Sequence, residues 1–133
     1  MAPLALTVGV SVLAGGCGLN VELADLFLLT RTGQGSKLTM LVNSGGQITC
    51  NGRKKMLSSA LVIQSRNLAD GLGNDAQQQL DLPPKPGTVF TYSLKLQQGT
   101  IRFSDRDTLH HPLLAQVELF TAQAAQQACG LSG

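Results

Sequence analysis

The 133-residue sequence has no tryptophan, one tyrosine and four phenylalanines, and charged residues make up only 14% of it. A chain this short and poor in aromatics has room for one modest domain. The net charge is +2, and it is dispersed rather than gathered into a basic face, which excludes nucleic-acid binding. There is no Cys-x-x-Cys, so neither a dithiol redox pair nor a zinc knuckle is supported. Phosphate-loop spacing is missing too. "RTGQGS" lacks the lysine-bearing arrangement and runs into a strand rather than into a helix N-terminus. No serine sits in a Gly-x-Ser-x-Gly context, and nothing singles out a pair of catalytic carboxylates. No internal repeat and no long linker appears.

Charge is also missing from one place in particular. All ten Lys and Arg and all eight Asp and Glu residues lie after Cys17. Leu4 to Leu13 is apolar or small throughout. At about ten residues it stops well short of the roughly 20 needed to cross a bilayer core, but it suits the apolar region of a secretory signal. It meets the small-residue step Leu13-Ala14-Gly15-Gly16-Cys17.

That step resembles the lipobox of bacterial lipoproteins, in which the cysteine thiol receives a diacylglyceryl group and the chain is cut just before it. The resemblance implies a signal peptide over residues 1–16 and a lipid on Cys17; no cofactor is expected. It departs from the family pattern in two ways. Ala14 stands where Leu is preferred, and Met1-Ala2-Pro3 carries no basic residue, which a true start upstream of Met1 would supply. The competing structural reading makes residues 4–14 a buried strand or short helix.

Three cysteines are an odd number for a secreted domain. If Cys17 carries lipid, Cys50 and Cys129 remain as a pair in an oxidising compartment. Their bridge would close a loop of about 80 residues, for which chain entropy gives about 4.5 kcal/mol as an upper figure. The alternative is two buried free thiols in a cytosolic protein.

The domain proper is expected over 25–133, behind a lipidated cysteine and short tether at 17–24, of which Gly18 to Ala24 spans at most about 25 Å. "DLFLLTRT" (Asp25–Thr32) and "SKLTMLVN" (Ser36–Asn43) read as a hairpin about Gly33-Gln34-Gly35, and Gln47–Asn51 as a third strand. From Met56 the period changes: Leu57, Leu61, Leu68 and Leu72 share one helical face, with Ser58 or Ser59 at the start and Gly71 and Gly73 at the end. Ala76 to Leu80 adds a further helical turn, and Leu82-Pro83-Pro84-Lys85-Pro86-Gly87 reads as an extended connector.

Val89–Leu96 alternates with Phe90, Tyr92, Leu94 and Leu96 on one side, and Thr100–Ser104 continues the pattern. A last helix starts at Pro112 with Leu113, Val117, Phe120, Ala124 and Ala128 as its apolar stripe and Gly130 beyond its end. The expectation is an α+β fold, an antiparallel sheet of about five strands with two helices packed on it, in the order βββ-α-ββ-α.

Few residues invite chemistry. His110 and His111 are adjacent, point apart and lack further ligands, so they read as the polar approach to a helix rather than a metal site. Asp105 and Asp107 read as a solvated turn, since one Asp-x-Asp is too few oxygens for calcium. Arg53-Lys54-Lys55, the one charge run, reads as a solvated loop that beside a membrane would touch anionic headgroups at about 1 kcal/mol per charge.

"DLFLLTRTGQGSKLTMLVNSGGQITCNG" and "AQAAQQACGL" are together similar to a group of small, uncharacterised lipoproteins of actinobacteria, over nearly the whole mature chain. That resemblance implies an extracytoplasmic, membrane-anchored protein and adds no activity. The leading expectation is a non-enzymatic binding or envelope-assembly module. Its partners would be membrane lipid, through acylated Cys17, and an envelope protein or ligand. One alternative is a protease inhibitor presenting Pro83–Gly87 or Gly33–Gly35, since the layout resembles the subtilisin-inhibitor type. The other is a small envelope hydrolase using dispersed acids.

Overall fold

The computed structural model of the chain describes residues 25–131. The expected signal segment, Cys17 and the tether at 17–24 lie outside the described residues. The elements are β1 (Asp25–Gly33), β2 (Ser36–Asn43), β3 (Gln47–Cys50), β4 (Arg53–Met56), α1 (Ser59–Gly71), α2 (Gly73–Gln77), β5 (Thr91–Leu96), β6 (Gly99–Ser104) and α3 (Pro112–Gln127), with a 3-10 turn at Asp107–His110. The class is the expected α+β. The sheet, however, has six strands in the order β4-β3-β2-β1-β5-β6, every neighbouring pair antiparallel.

The strand absent from the expected order is β4, built from Arg53-Lys54-Lys55-Met56, and the loop expected there is a strand. All four of its side chains are exposed, so no alternation of apolar and polar residues marks it. Its turn does mark it. Asn51 and Gly52 both have positive φ, 46° and 90°, as the two central positions of a type I′ hairpin require. The β1–β2 turn repeats the device with Gln34 and Gly35. A lysine-rich strand at a sheet edge discourages pairing with other chains. The opposite edge is covered as well. The chain at 80–82 runs beside β6, where the Leu82 N–H donates to the Arg102 carbonyl at 2.8 Å and the Arg102 N–H to the Leu80 carbonyl at 2.9 Å.

Side chains of period two divide the sheet into faces. Phe27, Leu29, Leu38, Met40, Val42, Ile48, Tyr92, Leu94, Leu96, Ile101 and Phe103 form the inner face and are almost wholly buried. The helices lie on that face alone. α1 contributes Leu61 and Leu68, with Leu57 and Leu72 just outside it also buried, so the expected four-leucine face holds. The Ser58 hydroxyl accepts from the Leu61 N–H at 3.3 Å as its N-cap.

α3 begins with Pro112 in its first turn and buries Leu114, Val117, Phe120, Thr121, Ala124 and Ala125. Leu113, expected in that stripe, is only half-buried and lies against Gly71 at the end of α1, so Leu114 takes the core position. Phe120 meets Phe27 edge-on with ring centroids 5.7 Å apart, and Tyr92 stacks on Phe103 at 4.8 Å. Among the described residues no helix is long and apolar enough to cross a membrane.

Cys50 at the end of β3 and Cys129 just beyond α3 form a disulfide with a Cα–Cα separation of 5.7 Å. The last turn of α3 widens as it arrives there. The Ala128 and Cys129 N–H groups both donate to the Ala124 carbonyl, and Leu131 reaches back to that of Ala125 at 2.8 Å. Gly130, at φ 68°, makes the reversal.

Replacing both cysteines with serine should cost about 2–5 kcal/mol of stability. Thermal unfolding checks this: reductant should lower the midpoint of the native protein and leave that of the double variant unchanged.

Candidate functional site

The face of the sheet opposite the helices carries a chemistry of its own. Register aligns its side chains in rows. Lys54, Thr49, Leu41, Leu28, Lys95 and Thr100 form one row across all six strands. Thr39, Thr30, Ser93 and Arg102 form the next, and Lys37, Thr32 and Thr91 a third. These residues are half-buried or exposed. The face thus presents seven hydroxyls, four cations and two leucines. Asp25 borders it at the start of β1, and Asp81 borders it beside β6, with an oxygen 4.0 Å from the Arg102 guanidinium and both of those side chains well exposed. A contact of that last kind is worth little.

The chain at 81–84 rises beside β6 and encloses a cleft of about 250 Å³ on this face. Thr30, Thr32, Thr91 and Ser93 supply hydroxyls to it, and Asp81, Leu82, Pro84 and Arg102 flank them. A second, more apolar depression of about 280 Å³ lies along Leu26, Leu28, Leu41 and Lys95, beside Asp25 where the described chain begins.

The basic run is divided by the pleat. Lys54 pairs with Thr49 and belongs to the open face, whereas Arg53 and Lys55 pair with Cys50 and Ile48 on the helix side. There they line a depression with Gln127, Ala128 and Cys129 at the C-terminal end of α3, where cations complement the helix dipole.

The aspartates are not a solvated pair. Asp105 accepts from the Val89 and Phe90 N–H groups at 3.2–3.3 Å. Asp107 is buried and corrects the expectation of a solvated turn. It accepts from the Ser104 N–H at 2.8 Å, the Ser104 hydroxyl at 3.1 Å and the Lys85 ammonium. Burial works against its charge, but these donors together outweigh burial and hold its pKa below the ordinary value.

Lys85 anchors the proline-rich connector in this way. The Thr88 hydroxyl closes the same turn by donating to the Lys85 carbonyl at 2.6 Å. Pro83–Gly87 is therefore exposed but pinned. His110 and His111 are both exposed, and His111 stands at the N-cap of α3 without a capping side-chain bond. Among the described residues no three of His, Cys, Asp and Glu gather as metal ligands.

Sequence reasoning missed one cluster. Arg31 takes an inner-face position of β1, in register with Leu38 and Tyr92 where an apolar residue would continue Phe27 and Leu29. Its guanidinium lies 4.6 Å from the centroid of the Phe90 ring. Burial and the nearby Glu118 carboxylate push the Tyr92 phenol up to about 12, while the Arg31 guanidinium, donating to it, pulls the other way. Tyr92 therefore stays protonated and serves as a polar plug at the end of the core. Burial and the Asp105 carboxylate also raise Glu118, against a hydrogen bond from Thr108. The signal lay in the alternation itself: a cation where period two demands an apolar side chain.

Two outcomes follow from these ionisations. Asp107→Asn should lose about 1–3 kcal/mol at neutral pH through its orphaned donors. Asp107's own contribution is complete above the unfolded aspartate value of about 4 and is lost as pH falls through its lower folded value. The native protein should therefore lose more stability on acidification than the variant, as denaturant melts across acid pH would show. Glu118→Gln should do the reverse. It removes a charge that folding disfavours, so it raises the thermal midpoint at neutral pH and leaves it unchanged below the ordinary glutamate value.

Comparison with protein-family models, with curated proteins and with solved structures finds no match to the chain.

Proposed function

We propose that this protein is a lipid-anchored, extracytoplasmic binding module of a bacterial envelope, of the small actinobacterial lipoprotein type. Residues 1–16 act as its signal and Cys17 as the acylated N-terminus. The observation that carries the reading is the Cys50–Cys129 disulfide. Such a bond belongs to an oxidising compartment. It leaves Cys17, the cysteine that follows Leu13-Ala14-Gly15-Gly16, as the one to be lipidated. Stable anchoring would come from several acyl chains, each contributing about 0.8 kcal/mol per buried CH₂.

The surface offered for binding is the open sheet face with its hydroxyl-lined cleft. Hydroxyls both donate and accept, so the cleft suits a polar ligand, and Arg102 at its side suits an anionic group. The cleft stands on paired strands rather than on a long loop, so its groups are held in place by the ladder.

Mass spectrometry of the protein isolated from its native envelope checks the anchor. The expected species begins at Cys17 and carries diacylglyceryl mass. An unmodified chain beginning at Met1 sinks the proposal.

A further inference from the structure

We infer that the open sheet face is a docking surface for an anionic phospholipid bilayer, so that the domain lies with its strands against the headgroups and its helices away from them. This deepens the anchor reading above and rests on it for keeping a bilayer within reach. The contact itself follows from the face.

Three features converge. The first is charge. Lys37, Lys54, Lys95 and Arg102 project from one face, and among the described residues two carboxylates, Asp81 and Asp25, stand at its borders, so cations outnumber them. Each cation near a negatively charged leaflet is worth about 1 kcal/mol. Lys54 and Lys95 stand in one row separated by four strand spacings, roughly 19 Å, so the charge is spread over an area and not focused on a single ligand.

The second is shape and composition. The row between those lysines holds Thr49, Leu41 and Leu28, and the apolar depression beside it runs along Leu26, Leu28 and Leu41. Threonine and serine hydroxyls can hydrogen-bond phosphate and ester oxygens while the short leucines rest at headgroup level.

The third is where the chain leaves. β1 is a central strand, and Asp25 at its start lies at the rim of that same apolar depression. The seven residues from Gly18 to Ala24 span no more than about 25 Å, so the anchor would enter the membrane beside this face.

Other occupants fit less well. A second copy related by a two-fold axis would bring four cations against four cations. A neutral glycan would find no aromatic ring to stack on. The tyrosine and the four phenylalanines are all placed elsewhere: Phe27, Tyr92 and Phe103 on the inner face, Phe120 on α3 and Phe90 against Arg31.

The test uses the full-length chain with Cys17→Ser, so that no lipid contributes, and reads co-sedimentation with vesicles. Vesicles of phosphatidylcholine with about one-third phosphatidylglycerol should bind it at least about tenfold more tightly than phosphatidylcholine alone, and salt should weaken this. Lys54→Glu with Lys95→Glu should abolish the preference. Arg66→Glu with Arg106→Glu, the same change in net charge at exposed positions off that face, should keep most of it. Unchanged thermal midpoints establish that both variants fold.

No anionic preference, or equal loss in both double variants, overturns the proposal. So does displacement from the vesicles by soluble polygalacturonate at equal charge concentration, which would make the partner an anionic polymer. None of these results bears on whether Cys17 is acylated in the native host, so failure of the docking and failure of the anchor are separately visible.

Discussion

The bond between Cys50 and Cys129 is what makes two layers of this chain into one body. A sheet covered on a single face by short helices has a thin core, and α3 crosses it at the very end of the sequence, where fraying is easiest. The disulfide fixes that end to β3, one strand in from the lysine-rich edge. It closes a loop that holds β4, α1, α2, β5, β6 and α3, so most of the unfolded chain loses freedom through one covalent contact. Phe27 against Phe120 and the leucines of α1 then complete the packing without needing to hold the terminus alone.

The other end of the sheet is closed by polar groups. Asp107 gathers the Ser104 N–H and hydroxyl and the Lys85 ammonium, while Asp105 receives the Val89 and Phe90 N–H groups. Two aspartates thereby join the β6 end, the 3-10 turn and the proline-rich connector. Among the described residues every buried side-chain nitrogen and oxygen has a partner, as a burial this shallow demands. The connector held in this way forms the flank of the hydroxyl-lined cleft, so the groups that seal the core also shape the open face.

Most of the fold was legible because alternation and helical spacing report burial directly. The strand expected at Val89–Leu96, which begins two residues later at Thr91, the leucines at 57, 61, 68 and 72, and Pro112 were all readable from their neighbours. β4 did not, because a strand exposed on both sides carries no apolar pattern; only Asn51-Gly52 announced it. Asp107 was misread for a related reason. Its charge is matched by Lys85, 22 residues earlier, and no local pattern records that partner. Arg31 was legible in principle, as a break in the period of β1, but a single cation within a strand reads equally well as an edge or a turn.

The basic run shows most clearly how far a linear reading reaches toward function. Arg53-Lys54-Lys55 is one patch in sequence and two surfaces in space, since the pleat sends the outer two toward the C-terminus of α3 and the middle one to the opposite face. There Lys54 joins Lys37, Lys95 and Arg102, which come from three other strands and stand far apart in the chain. No run of residues announces that second cluster, because register creates it. A functional surface on a sheet is a property of strand order. In this protein the contiguous charges support a helix end, and the scattered ones form the face turned outward.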